Sequence, residues 1–178
     1  MSYFHFFASA FHPSLGSSLL NSMNEEDLSI GSLYLAGFAQ VRAPHVGLII
    51  PSSRSAGTLV HIRIDRETSP NWAFQVRTQK IEADIFLTSL LKIGGPVAPE
   101  LLIEISKEVP VPENDEFGEC FPWVMLLVRT LCGRDLVDVS SMDDLATEFA
   151  EFVEGNKAYA RRDRFPKVAT SKFCSLTH

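Results

Sequence analysis

The first half of the chain carries short runs in which apolar and polar positions alternate, and this pattern predicts β-strands. Residues 44–50 (PHVGLII) form an apolar run closed by Pro51, and residues 52–57 (SSRSAG) have the composition of a turn. Residues 58–64 (TLVHIRI) predict a second strand, antiparallel to the first, and residues 72–80 predict a third. In the second strand, one face is expected to carry Leu59, His61 and Arg63, and the other Val60, Ile62 and Ile64. In the third strand, one face is expected to carry Trp72, Phe74 and Val76.

The second half of the chain has the apolar spacing of helices. Helices are predicted over residues 98–107, 121–132 and 142–154, and a strand over the second half of the ambiguous stretch 81–94. The middle helix is apolar on nearly all sides and lies between Pro122 and Gly133, which is typical of a buried helix. Ser141 and Asp144 resemble a capping box. The predicted fold class is α+β, a small antiparallel sheet packed against a buried helix that carries a cysteine at its N-terminus.

The length of 178 residues indicates one domain, and a hydrophobic fraction of 46% is enough to bury a core. Residues 1–40 are rich in Phe and Ser and are expected to form an aromatic arm packed on the core, with an apolar lid or a homo-oligomer contact as alternatives. Residues 41–155 form the expected α+β domain. Residues 156–178, with 6 basic and 1 acidic residue, form a basic tail that is either solvated or in contact with an anionic ligand or partner.

The net charge of -6 argues against a nucleic-acid-binding protein. The first basic residue is Arg42, so the apolar N-terminus lacks the positive region of a signal peptide. No apolar run approaches the roughly 20 residues of a membrane span. We therefore expect a soluble, cytoplasmic protein that acts on a small-molecule substrate. No metal-ligand cluster or phosphate-binding glycine loop is visible, so neither a metal nor a cofactor is expected.

The three cysteines, Cys120, Cys132 and Cys174, are too widely spaced to indicate a disulfide framework. Cys120 differs from the other two because it lies at the start of the buried helix. The first N–H groups of a helix have no internal partner and its dipole favours negative charge there, so we expect a lowered pKa for the Cys120 thiol. Cys120 is therefore the candidate nucleophile.

A cysteine nucleophile needs a base, and two histidines are placed to supply one. His45 and His61 lie in consecutive predicted strands, whereas the other three histidines are in terminal segments. Facing residues of an antiparallel pair approach to about 5 Å at Cβ. One ring can thus orient the other, as the base and its partner do in catalytic triads.

These segments resemble the permuted papain-like fold of the LRAT-like group, which belongs with the NlpC-like cysteine peptidases. The resemblance covers about residues 40–131 and depends on the segments PHVGLII, TLVHIRI and ECFPWVMLLV. A set of small fungal proteins of this type is more similar still, through GTLVHI, WAFQVR, PENDEFGEC and CFPWV. The chain departs from the group at Val46, where an aromatic residue is usual, and at Glu119, where Asn is frequent.

The resemblance implies that Cys120 is the nucleophile, that His45 is its general base and that His61 orients His45. Such a site attacks an ester, thioester or amide carbonyl and forms an acyl-enzyme. Five further side chains are expected near the substrate, and the aromatic character of four of them favours an apolar or aromatic ligand. They are Trp72, Phe74, Arg77, Phe117 and Trp123.

The leading functional hypothesis is thus a cysteine-dependent hydrolase or acyltransferase of small acylated, ester or amide molecules, with fungal secondary metabolism implied by the resemblance. The second is a cofactor-free cyclase or isomerase of natural-product biosynthesis that uses His45 or His61 as acid and base in the same pocket. The third is a non-catalytic binding module, in which Cys120 is unreactive and side chains fill the cleft.

Overall fold

The computed structural model describes residues 27–65 and 67–175, and its fold class is α+β, as predicted. A 3₁₀ turn at Lys157–Tyr159 follows the last helix. The other elements are β1 Ser32–Phe38, β2 His45–Pro51, β3 Ala56–Arg63, β4 Ala73–Lys80, β5 Leu87–Pro96, α1 Pro99–Glu108, α2 Cys120–Cys132, β6 Asp138–Val139, α3 Met142–Gly155, β7 Lys167–Thr170 and β8 Cys174–Ser175.

Six strands form one sheet in the order β4-β3-β2-β1-β5-β7. Neighbouring strands are antiparallel except β5 and β7, which pair in parallel from Ser89 opposite Lys167 to Lys92 opposite Thr170. The sheet is therefore mixed, and the expectation of an antiparallel sheet is wrong at this edge. Strand β7 belongs to the segment predicted to be a tail, and helices lie between β5 and β7 in the chain. A long crossover connection of this kind allows two strands to pair in parallel.

Strand β1 lies in the middle of the sheet, between β2 and β5, although its sequence was assigned to the N-terminal arm. All seven of its residues are buried, so its two faces do not alternate in polarity and the strand has no alternating signature. The aromatic residues that suggested an arm, and a homo-oligomer contact through it, precede residue 27 and lie outside the described residues.

The two faces of the sheet bury separate clusters of side chains, because successive residues of a strand point to opposite sides. One face, here called the helix face, carries Val46, Leu48, Val60 and Ile62, which pack with the buried side of α2. The other face, here called the opposite face, carries Ile49 and Leu59 in a second cluster with Tyr34, Leu90 and Val168. The side to which a β2 or β3 residue points thus decides whether it can meet the helices.

The predicted helices are present, and the start of α3 is capped as expected. The Ser141 hydroxyl accepts a hydrogen bond from the backbone N–H of Asp144 at 3.3 Å. Helix α2 extends from Cys120 to Cys132 and buries Trp123, Val124 and Leu127, among others, against the helix face. Within the described ranges, no helix has both the length and the apolar character needed to cross a membrane.

Candidate functional site: a histidine pair in a basic cavity

His45 and His61 form a direct hydrogen bond between their rings. The distance from Nε2 of His45 to Nδ1 of His61 is 2.6 Å, and the ring planes are inclined at 70°. On its other side, Nε2 of His61 lies 2.9 Å from Oε1 of Gln75, which is opposite His61 in the β3–β4 register. Three adjacent strands therefore contribute one continuous chain of hydrogen bonds.

The direction of this chain follows from its last member. The tautomers are assigned from the amide oxygen of Gln75, which can only accept: Nε2 of His61 then carries the proton and, in the neutral ring, Nδ1 of His61 accepts. Nε2 of His45 must then donate to it, which leaves Nδ1 of His45 as a lone pair. That nitrogen has no hydrogen-bond partner in the part of the chain described. The chain thus ends in a free proton acceptor.

Gly47 makes the approach of the two strands possible. A Cβ atom at position 47 would lie 2.8 Å from Cδ1 of Leu59, 2.9 Å from the carbonyl oxygen of Val60 and 3.1 Å from Cβ of His61. The first two distances are shorter than real Cβ contacts, and one of them involves the backbone. A side chain here would push β3 away from β2 beside the histidine pair.

Both imidazoles are held in the neutral form. Burial lowers the pKa of His45 to about 4, and the positive charges of Arg77 and Arg63 act in the same direction. Burial also lowers the pKa of His61 to about 3, aided by His45 and the two arginines, while the hydrogen bond to Gln75 opposes the shift. At neutral pH, Nδ1 of His45 is therefore unprotonated and available.

The histidine pair lines a cavity of about 610 Å³, here called the histidine cavity. Three of its lining residues are arginines and one is an acid, so with neutral histidines the cavity carries excess positive charge. Two aromatic side chains, Trp72 and Phe117, supply apolar wall. The full lining is Gln40, Arg42, His45, His61, Arg63, Ile64, Trp72, Arg77, Asp115 and Phe117.

The acidic loop before α2 lines one side of this cavity and is hydrogen-bonded to Trp72, the residue before β4. Nε1 of Trp72 donates to the carbonyl oxygen of Glu116 at 2.9 Å, and the backbone N–H of Trp72 donates to the carbonyl oxygen of Asn114 at 3.2 Å. The loop in turn presents Phe117, whose ring centroid lies 6.0 Å from Cζ of Arg42. These two hydrogen bonds between Trp72 and the loop hold the aromatic wall in place.

Cys120 lies on the other side of the sheet. It begins α2 and is packed in the cluster of the helix face with Val46, whereas His45 and His61 alternate onto the opposite face with Ile49 and Leu59. No hydrogen bond joins the Cys120 sulfur to either imidazole among the described residues, and Cys120 does not line the histidine cavity. The structure thus brings the two histidines together without the thiol.

The pKa of the Cys120 thiol is raised, so the expectation of a lowered value is wrong. Burial is the largest influence, and the charge of Glu119 acts in the same direction. The backbone N–H groups of Val46, Cys120 and Phe121 lower the pKa, as expected at a helix start, without overcoming the loss of solvation. Burial also raises the pKa of Cys132, and it raises that of Cys174 to about 11.

The other predicted substrate residues divide between the two sides. Trp72, Arg77 and Phe117 line the histidine cavity. Phe74 and Trp123 pack against each other at a centroid distance of 6.0 Å and belong to the helix-face core, so they do not reach it. A separate apolar cavity of about 700 Å³ lies beside the start of α2, with Val46 and Phe121 in its wall and neither histidine.

Several members of the site were not identified from the sequence, chiefly Gln75, Arg63, Arg42 and Asp115. The face of β4 on which Gln75 lies was predictable, because the alternation that places Phe74 on one face of the strand places its two neighbours on the other. The position of Asp115 was not predictable, since it depends on how a loop without periodicity is folded.

A scan against protein-family models, a search of curated proteins and a search of solved structures each return no match for this chain. Within the described residues, no group of three or more His, Cys, Asp or Glu side chains is arranged to hold a metal ion. The function must therefore be argued from the histidine cavity itself.

Proposed function

We propose that this protein is an acid–base catalyst of the cyclase or isomerase type, which moves a proton on a small molecule bound in the histidine cavity. The observation that carries the proposal is the hydrogen-bond chain His45–His61–Gln75, which ends in His45, a lining residue of a cavity of substrate size.

The step balances without any co-reactant. A C–H proton of the substrate passes to Nδ1 of His45, and the pair of electrons stays on the substrate as an enolate. His45 can pass its Nε2 proton to Nδ1 of His61, whose imidazolium then donates to both His45 and Gln75. Return of a proton from Nδ1 of His45 to another atom of the substrate completes an isomerisation or a ring closure. The excess positive charge of the cavity, to which Arg42 also contributes, stabilises the transient negative charge.

Proton abstraction can be detected before the natural substrate is known. In D₂O, we expect the wild-type protein to exchange deuterium into enolisable ketones, lactones or 2-oxo acids, followed by ¹H NMR. The His45→Gln variant should lose about a hundredfold of the exchange rate, because general base catalysis contributes roughly this much. Cys120→Ala should exchange like the wild type, because the thiol lies on the other side of the sheet.

Equal loss in Cys120→Ala and His45→Gln would contradict this assignment, as would the absence of exchange with every member of the panel. A protein that binds panel members without exchanging them would be a binding module, the third hypothesis.

The cysteine-dependent hydrolase or acyltransferase is the second candidate. It is favoured by the backbone N–H groups of Val46, Cys120 and Phe121 around the sulfur, which are suited to stabilising negative charge, and by the apolar cavity beside them. A papain-like fold, in which a helix that begins with the cysteine packs on a sheet, is part of the same candidate. It requires a base that the described residues do not bring to the thiol by a hydrogen bond.

Alkylation kinetics distinguish the two candidates. In a Cys132→Ser/Cys174→Ser variant, we expect iodoacetamide to label Cys120 at least about tenfold more slowly in the native than in the unfolded protein, since the thiol is buried and its pKa is raised. A Cys120→Ser/Cys174→Ser variant provides the matched control, because Cys132 is less buried. Faster labelling of Cys120 in the native protein than in the unfolded one would support the hydrolase.

A further inference from the structure

We propose that the histidine cavity is specific for a carboxylate attached to a flat aromatic or apolar body, with the carboxylate bound by Arg77 and Arg63. This inference rests on the proposed function of the site and specifies its substrate class. The cavity wall has three arginines and a single acid, Asp115. Of the three, Arg63 has an acidic neighbour, Asp65, at 3.7 Å, so its charge is partly compensated.

The charge of Arg77 is offset in part by Asp84, without an ion pair. Its Nη2 donates to Oε1 of Gln79 at 2.6 Å, and no carboxylate within the described ranges lies at ion-pair distance from it. Gln79 is buried and is itself fixed, because its Nε2 donates to Oδ2 of Asp84 at 2.7 Å and to the carbonyl oxygen of Lys80 at 2.6 Å. The guanidinium is thus held in place by a neutral amide, with its charge left for a ligand.

Arg63 and Arg77 both line the histidine cavity, on either side of the His61–Gln75 pair in the β3–β4 register. Partial burial lowers the pKa of Arg77, repulsion by Arg63 acts in the same direction, and the charge of Asp84 opposes the shift. A bound carboxylate removes the repulsion and offers two oxygens to the planar guanidinium groups, a pairing in which arginine is strong. Both residues lie on the sheet face of the histidine pair, since Arg77 is opposite Leu59 in the register.

The aromatic wall determines the body of the ligand. Trp72 is fixed by its hydrogen bond to Glu116, and Phe117 is 58% exposed, which is a large unpacked area for a phenylalanine. A flat ring placed between them buries apolar surface on both sides.

The same anion would prepare the catalytic base. Arg77 and Arg63 help to keep His45 unprotonated. When a carboxylate neutralises them, the basicity of Nδ1 of His45 rises towards the range in which proton abstraction is efficient. Substrate binding and activation of the base are therefore coupled through the two arginines.

Phenylacetate and its neutral isostere phenylacetamide test this inference, with binding followed by NMR titration of the ring signals of Trp72 and His45. We expect phenylacetate to bind the wild type about tenfold or more tightly than phenylacetamide. Arg77→Gln should lose that preference, whereas Arg129→Gln, an exposed arginine of α2 outside the cavity, should retain it. The pKa of His45 should rise when phenylacetate is bound.

Equal binding of the acid and the amide by the wild type would overturn the inference without requiring any variant, and so would an unchanged preference in Arg77→Gln. The titration is repeated on His45→Gln, which cannot catalyse exchange through Nδ1. If phenylacetate binding depends on Arg77 but no carbon acid exchanges deuterium, the proposed function fails and the carboxylate site stands. If neutral ketones exchange deuterium and phenylacetate does not bind, the carboxylate site fails and the proposed function stands.

Discussion

Acidifying the protein from about pH 7 to about pH 4 is expected to lower its free energy of unfolding by about 3 kcal/mol or more through His45 and His61. An unfolded histidine titrates near pH 6.5, whereas these two bind protons in the folded protein only near pH 4 and pH 3. Between these values the unfolded chain binds more protons than the folded one. The stabilising contribution is therefore complete above pH 6.5 and is lost as the pH falls towards 4.

The magnitude follows from the size of the pKa shifts. Each unit of difference between the folded and unfolded pKa corresponds to about 1.4 kcal/mol, so the shift of His45 alone contributes about 3 kcal/mol. His61 adds to this amount, although the two rings titrate as a coupled pair and their contributions do not simply add. The physical source is the burial of two rings beside Arg63 and Arg77.

Urea denaturation across this pH range measures the effect, and the His45→Gln/His61→Gln variant is its control. The two proteins have the same carboxyl groups, so the effect of acid on those groups is common to both. The wild type should therefore lose more stability on acidification than the variant, whatever their difference at neutral pH. Parallel curves would show that the imidazoles are not held neutral in the folded state.

Replacing Phe149 by alanine should lower the free energy of unfolding by about 3–5 kcal/mol. The Phe149 side chain is fully buried on α3 and its ring lies nearly parallel to that of Phe121, at a centroid distance of 6.1 Å. Its removal leaves a cavity where α3 packs on the helix-face core, which a domain of ordinary stability can barely tolerate.

Phe86→Ala is the matched control, because the same side chain is 57% exposed at position 86 and its loss should cost less than about 1 kcal/mol. Chemical denaturation of both variants gives the comparison. Similar losses in the two would mean that α3 does not contribute to the cooperative core.

The sequence predicted the elements that have a clear period. Strands β2 to β4 and all three helices lie where alternation, helical spacing, Pro122 and the Ser141 cap place them. Strand β1 could not be recognised, because a strand buried on both faces has no alternation. Strand β7 could not be recognised either, because its four residues are too few to show a period and its pairing with β5 is non-local.

The sequence predicts the histidine pair, and it also carries a signal for the separation of that pair from the cysteine. In residues 58–64 the apolar Val60 and Ile62 alternate with His61, and a buried helix packs on the apolar side of a sheet. That argument alone directs His61 away from α2 and hence from Cys120. The effect of burial on the thiol could not be foreseen in the same way, because it depends on how closely Val46 and the rest of the core surround the sulfur.

Position 47 limits how this protein can change during evolution. Even alanine, the smallest replacement, would bring its Cβ to 2.9 Å from the carbonyl oxygen of Val60, a backbone atom that cannot rotate away. Two histidines on β2 and β3 can therefore be inherited as a bonded pair only together with Gly47. A histidine followed two positions later by glycine, and a histidine followed two positions later by arginine on the next strand, identify relatives that can form the same proton chain. This pattern is more selective for the site than the cysteine at the start of α2.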